Sequence, residues 1–204
     1  MSLAVRRSLT GGVLAVVVTL SGCGGSSPEE TPDSSADASV SSSSAEPTLP
    51  PPTGPGCEAV GDFAPFSEMD LIEALHAIPS TQTFATYLAE DESAAGKYGM
   101  LDGVTAFVPV DSAWTKLDEA SVEDLEDPDR RIHAVQYALV PIEVAPDELA
   151  GAELPTFRAP DVVLTGAASG NGIMLNGSAK VLCSAIPFDG GLIYLTDTLL
   201  LPPN

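Results

Sequence analysis

Basic residues are scarce in this chain. It has 8 Lys and Arg against 29 Asp and Glu, a formal net charge of −21. Such a surface repels phosphate backbones and anionic headgroups, so DNA, RNA and polybasic membrane binding are excluded. Cysteine is scarce too. Three cysteines are too few for a disulfide-dense scaffold or a paired-CxxC zinc site. The two histidines, His76 and His133, have no second His or Cys three or four residues on. They read as ordinary surface or satisfied side chains, and no metal site is expected.

Other patterns are missing. No serine sits in a G-x-S-x-G elbow, and no Ser/His/Asp pairing is visible. Gly170 and Gly172 belong to a hairpin and are not followed by a helix, so no phosphate loop is implied. The densest acidic run holds Asp118, Glu119, Glu123, Asp124, Glu126, Asp127 and Asp129. It lacks the D-x-[DN]-x-[DN]-G calcium loop and reads as first-turn acids on successive helices, which complement helix dipoles. A divalent-cation or cationic-partner patch is the other reading. No catalytic residue and no cofactor are expected. Asn176-Gly177-Ser178 fits a glycosylation sequon, but an Asn-Gly turn explains it better.

Residues 1–23 read as an export signal. Arg6 and Arg7 form a positive n-region, and Leu9 to Leu20 an apolar h-region too short to span a bilayer comfortably. Leu20-Ser21-Gly22-Cys23 follows. It resembles the bacterial lipobox, in which the cysteine becomes the acylated first residue. Cys23 is therefore the expected lipidation site. A secretory signal with an incidental cysteine is the alternative. Removing the signal leaves 8 − 2 = 6 basic residues against 29 acids, a charge of −23. Membrane attachment would then rest on the lipid alone, where more than one acyl chain gives stable anchoring.

Residues 24–56 are low-complexity, rich in Ser, Pro, Thr, Ala and Gly, with five acids. Such a segment buries too little to offset its ordering entropy and is expected to be a disordered spacer. Polyproline II is expected at Leu49-Pro50-Pro51-Pro52. A flexible coil of this length spans on the order of 30 Å, and a fully extended one about 100 Å. The composition suits O-linked sugars as it suits any solvated spacer.

The stretch from Val104 to Leu117 organises the rest. Val104, Ala106 and Val108 alternate with Thr105 and Phe107 at the period of a strand. Pro109 ends it, having no N–H for the ladder. Asp111 is placed to cap a new helix, with Ala113, Trp114 and Leu117 at helical spacing. Upstream, Ser67 with Asp70 suggests a capping box for a helix bearing Leu71, Ile72, Leu75 and Ile78, stopped by Pro79. A second helix runs from about Thr81, and Gly96 to Gly103 is a loop. Downstream, Ser121 to Asp124 suggests another cap, and Asp127-Pro128 starts the next helix. From Leu154 on, short strands follow: 154–157, 162–165, 172–175, 180–183 and 192–196. Turns are signalled at 168–172, Asn176-Gly177 and 189–191. Helices first and strands afterwards imply an α+β class with a mainly antiparallel sheet.

Two segments carry a family resemblance. Thr105, Phe107, Pro109, Asp111, Ala113 and Trp114 match in order the signature T-V-F-A-P-T-[DN]-x-A-F. Val110 and Trp114 replace its usual Thr and Phe. Asn176-Gly-Ser-Ala-Lys-Val, then Gly191-Leu-Ile-Tyr-Leu-Thr-Asp197 through Pro203, resemble N-G-A-x-V followed by G-x-I-H-V-I-D-x-V-L-x-P-P. Over roughly Cys57 to Asn204 the chain resembles the fasciclin (FAS1) domain, and within it the mycobacterial secreted antigens and their lipoprotein relatives. The resemblance implies a β-sandwich or wedge with helices packed along one edge, as one module over 57–204. Tyr137 opens the family's Y-H-[VL]-[VL] motif, but Ala138 stands where that motif has His. The adhesion role discussed for that His therefore does not transfer. The resembling antigens carry cysteines at both the Cys57 and the Cys183 positions. With Cys23 taken by lipid, these two would pair in an oxidising compartment; two separate thiols are the alternative.

The resemblance and the anchor-and-spacer layout imply a non-enzymatic adhesion or interaction module. It would sit on the outer side of the cell membrane, with a protein or polysaccharide partner. The alternative is an extracytoplasmic binder of a small, lipid-like ligand, or an envelope accessory lipoprotein.

Overall fold

The computed structural model describes residues 50–91, 102–170 and 172–203. The expected signal, Cys23, most of the spacer and most of the 96–103 loop lie outside the described residues.

The chain starts with two 3-10 turns, Cys57–Ala59 and Ala64–Glu68. Helix α1 (Leu71–Ala77) and helix α2 (Gln82–Glu90) follow, then strand β1 (Val104–Pro109). Three helices come next: α3 (Asp111–Trp114), α4 (Glu119–Glu126) and α5 (Pro128–Tyr137). Six strands close the domain: β2 (Leu139–Val140), β3 (Glu153–Pro155), β4 (Val163–Ser169), β5 (Gly172–Leu175), β6 (Ala179–Phe188) and β7 (Gly191–Thr196).

The helix starts are set by carboxylates, at places the sequence only half indicates. Asp70, not Ser67, caps α1: its Oδ1 accepts from Glu73 N at 2.8 Å, and Glu73 Oε2 accepts from Asp70 N at 3.3 Å. Glu at the third helical position reaches back to the cap, which the shorter Asp70 could not do for Ser67. Ser67 Oγ instead donates to Ala64 O within a 3-10 turn. Helix α4 likewise starts before Ser121, whose N–H goes to Asp118 Oδ1 at 2.8 Å. Asp127 does cap α5, accepting from Asp129 N and Arg130 N, with Pro128 in the first turn where its missing N–H costs nothing.

The seven strands form one sheet, in the order β2-β1-β7-β6-β5-β4-β3. Only β1 and β7 run parallel; the other pairings are antiparallel. The sheet nearly closes into a wedge, so of the two shapes implied the wedge is the one adopted. Phe157, just past β3, donates its N–H to Leu139 O of β2 at 2.9 Å, joining the two ends of the strand order.

Alternation along β1 then separates two cores. Val104, Ala106 and Val108 face the helices together with Ile193 and Leu195 of β7, against Leu71, Leu75, Phe84 and Leu88. Phe107 faces the wedge interior with Leu192, Tyr194, Leu164 and Leu175. Strand β6 changes sides. Val181 belongs to the interior and Cys183 to the helical core, although strict alternation would put both on one face. Register shifts after Val181 and again after Cys183, with Ala185 at φ 53°, make the switch. This bulge carries β6 to Phe188, five residues beyond the strand end that the sequence suggests.

Candidate functional site

The residues marked by the sequence do not gather in one pocket. Cys23 lies outside the described residues; each of the others has a structural task in or beside the two cores. Asp111 stands one residue inside α3 and gives its helix no cap. Its Oδ1 accepts from Thr83 N of α2 at 2.9 Å, while its own N–H donates to Ser80 O. The reason lies in α2's own start. Thr81 Oγ1 donates backwards to Leu75 O and Ile78 O, so α2 lacks a local cap and takes one from across the fold. Ala113 is buried beneath this corner. Trp114 is half-buried, in a T-shaped contact with the Tyr87 ring at 5.1 Å, and Arg131 lies over that Tyr87 ring at 5.4 Å. It seals a seam between helices rather than filling the deep core. Pro109 closes β1 opposite Thr196.

The interior is pinned by polar groups. Tyr137 Oη receives Asn176 Nδ2 at 2.6 Å and donates to Val163 O at 3.2 Å. Asn176 Oδ1 accepts from Thr165 N at 2.9 Å. Asn176 and Gly177 hold φ of 49° and 66°, the paired left-handed conformation of a tight hairpin turn. Two motif positions 39 residues apart thus meet through one side chain. Burial pushes the Tyr137 hydroxyl up from its ordinary value, against the opposing pull of the Asn176 bond. Thr105 Oγ1 donates to Ile142 O and accepts from Val144 N. Tyr194 Oη donates to Val144 O at 2.6 Å, and its ring lies 5.4 Å from Phe107. Burial, then the charges of Glu143, Asp147 and Glu148, raise the Tyr194 hydroxyl well above the ordinary phenol value.

Asp197 joins strands to helices. Its Oδ1 accepts from Lys180 N at 2.8 Å and from Thr198 Oγ1 at 3.0 Å, and Lys116 Nζ lies 3.5 Å from Oδ2. Burial alone would raise its carboxyl. The hydrogen bonds from Lys180 and Thr198, with the Lys116 charge, outweigh burial and hold it below the ordinary aspartate value. In the acidic run, Asp118 and Asp127 are helix caps and Asp124 pairs with Arg130 at 3.1 Å. Among the described residues no three His, Cys, Asp or Glu side chains form a group able to hold a metal.

Cys57 and Cys183 are joined by a disulfide. The ordered lead-in starts earlier than the expected boundary at Cys57. Ser184 N donates to Thr53 O at 2.9 Å, Ser184 Oγ donates to the same oxygen, and Gly56 N donates to Leu182 O. Gly54, at φ 139°, lies so close to Leu182 O that no Cβ would fit there. The Gly-Pro-Gly-Cys sequence belongs to the fold for this reason, although its composition matches the spacer. Sequence reasoning passed over Lys180 and Ser184, which line the cleft beside this lead-in. The Gly54-Pro55-Gly56 spacing was the available signal. A second cleft, of about 650 Å³, lies between α4–α5 and the C-terminal Leu201-Pro202-Pro203. Acids and bases are mixed along it.

A single curled sheet with helices on its outer face and polar pins inside defines a mixed α+β scaffold, in which the signature residues hold the frame. Comparison with known proteins agrees. The fasciclin domain profile matches residues 79–202, and the chain belongs to the fasciclin domain family. It is similar to the immunogenic protein MPB70 of Mycobacterium bovis, 26% identical over 100 residues, covering 48% of this chain and 50% of that one. The immunogenic protein MPT70 of Mycobacterium tuberculosis gives the same figures. The chain spans about half the length of these curated relatives. A FAS1 domain pair from the insect cell adhesion molecule fasciclin I shares the fold, with a TM-score of 0.53 and 19% identity over 66% of this chain and 51% of that one.

Proposed function

We propose that this chain is an exported, lipid-anchored fasciclin protein. It would act by contact rather than catalysis, presenting the domain to a protein or polysaccharide outside the cell. The observation that carries the reading is the fasciclin match over residues 79–202. Three further features support it. The disulfide belongs to an oxidising compartment. Attachment is assigned to acylation at Cys23 on the lipobox-like Leu20-Ser21-Gly22-Cys23, and among the described residues no helix is long and apolar enough to cross a membrane. The signature residues are engaged in holding the frame, so contact falls to the exposed surface, where Val122 and Ile142 are about half exposed at 48% and 46%.

The anchor is tested by detergent partitioning of wild type and Cys23→Ala. The wild type should enter the detergent phase and the variant should leave it. Equal retention with equal mass overturns the anchor. The contact role is tested by cross-linking on live cells. Recovery of one macromolecule, competed away by added soluble chain, supports it. Recovery of none overturns it. With 29 acids against few bases, a partner met by those acids should associate more slowly as salt rises.

A further inference from the structure

We infer that Asn176 is a latent modification site. It loses ammonia and becomes aspartate or isoaspartate only in molecules whose wedge interior has opened, and the change then keeps the interior from closing as before. This goes beyond the contact role above and does not depend on it.

Asn176 is followed by Gly177, which has no side chain to shield its peptide nitrogen. Gly177 and Ser178 are exposed, and a Cβ at Gly177 would meet nothing within 4 Å. Water and hydroxide therefore reach the Gly177 N–H freely, and the reaction needs no other reagent. Hydroxide removes that proton and the nitrogen attacks Asn176 Cγ. The Cγ–Nδ2 bond breaks and Nδ2 leaves as ammonia. Water then opens the five-membered imide at either carbonyl, giving aspartate or isoaspartate. Nothing is oxidised or reduced.

The folded chain blocks the attack twice. Closing the imide requires the Gly177 nitrogen to eclipse Cβ across the Cα–C bond of Asn176. The left-handed backbone there, at φ 49°, sets the two trans instead. The turn holds that backbone: Asn176 N donates to Thr165 O at 2.8 Å and Ser178 N to Leu175 O at 3.0 Å. The side chain is held as well. Oδ1 accepts from Thr165 N at 2.9 Å and from Thr165 Oγ1 at 3.3 Å, and Nδ2, the leaving group, donates to Tyr137 Oη at 2.6 Å. The Thr165 N–H requires an acceptor, which fixes the end of the amide that is oxygen. Tyr137 is buried and itself donates to Val163 O. For Cγ to meet the Gly177 nitrogen, these side-chain bonds must break and the backbone must turn, so β4, β5 and the end of α5 must first separate. The product cannot restore the pin. A carboxylate has no N–H for Tyr137 Oη, and isoaspartate adds a carbon to the backbone of a two-residue turn.

The experiment incubates the purified full chain in mildly alkaline heavy-oxygen water at increasing urea and follows Asn176 by peptide mapping. The oxygen label marks only molecules modified during the incubation, and the map counts the chain's other Asn-Gly pair, 171–172, separately. Without urea, Asn176 should react at least about tenfold more slowly than in the unfolded chain, and its rate should climb with the unfolded fraction read by circular dichroism. Tyr137→Phe frees Nδ2. Compared at equal unfolded fraction, it should react at least about threefold faster than wild type. The modified chain, separated by ion exchange, should melt below the unmodified one. Equal rates of wild type with and without urea overturn the inference, and this needs no variant to fold. A modified chain that melts at the unmodified temperature also overturns it, since the pin would then have re-formed. So does a Tyr137→Phe rate equal to that of wild type, because the side-chain bond would not be a lock.

Discussion

The two cores on either side of β1 are built differently. The helical core takes half of its buried residues from one sequence neighbourhood, Leu71 to Val108, and is closed by a covalent bond between positions 126 residues apart. The wedge interior collects residues from Phe107 to Leu200 and contains no such bond. Hydroxyls and amides close it instead: Tyr137 with Asn176, Tyr194 with Val144, Thr105 with the 142–144 loop. Helices on a sheet need little beyond apolar burial, which is not directional. A sheet curled on itself must also fix its register, and a directional hydrogen bond does that where a methyl contact cannot. The family signature residues fall mainly where direction matters.

Opening the covalent pin is expected to have the largest effect. Cys57→Ser, or reductant on the wild type, should cost up to about 4–5 kcal/mol by loop-closure entropy. The loss is read as a lower melting temperature, with no further loss when reductant is added to the variant. Hydrogen exchange should quicken first at the lead-in and the β6 bulge. If the interior amides loosen equally early, the two cores are one cooperative unit.

Asn176→Ala strikes the polar pins and should cost about 1–3 kcal/mol, since Tyr137 and the Thr165 N–H each lose a partner. Asn176→Gly should keep the turn but not the side-chain bonds, so the difference between the two variants separates strain from hydrogen bonding. A denaturant midpoint unchanged from wild type in both would remove the distinction between the cores.

Asp111→Ala should cost about 1 kcal/mol, the usual value of a lost cap, borne by α2 rather than by the helix Asp111 belongs to. Faster amide exchange at Thr83 is the specific readout; faster exchange confined to α3 would contradict the assignment.

The smallest effect concerns pH. Asp197 titrates lower in the folded chain than its unfolded value of about 3.9. Its contribution is therefore present above about pH 4 and is lost as pH falls through the lowered folded value. Solvent screening keeps it below about 1 kcal/mol. The stability gap between wild type and Asp197→Asn should narrow on acidification from pH 6 to pH 3. A gap that widens would reverse the sign.

Much of the frame was legible from local pattern. The β1 alternation, the Asp127-Pro128 helix start, the Asn176-Gly177 turn and the antiparallel strand run each depend on neighbours within a few residues, and propensity acts at that range. The caps were misread by a few positions because several carboxylates and hydroxyls compete at each helix start, and geometry chooses among them. The docked Thr53–Gly56 segment was hidden for another reason. Its composition is that of a solvated spacer, and only contact with β6 orders it. The cleft beside it was invisible, since Thr53, Pro146, Ile173 and Lys180 are far apart in sequence.

The amino-acid sequence by itself determined the class of the fold and the family, because periodicity, turn residues and signature spacing are local and composition is additive; the Cys57–Cys183 bond it only suggested. Only the tertiary structure decided which helix Asp111 serves, where β6 changes face and which side chain meets the Tyr137 hydroxyl. Each of these is a choice among competing partners, and that choice is made only when distant segments are brought within hydrogen-bond or van der Waals reach.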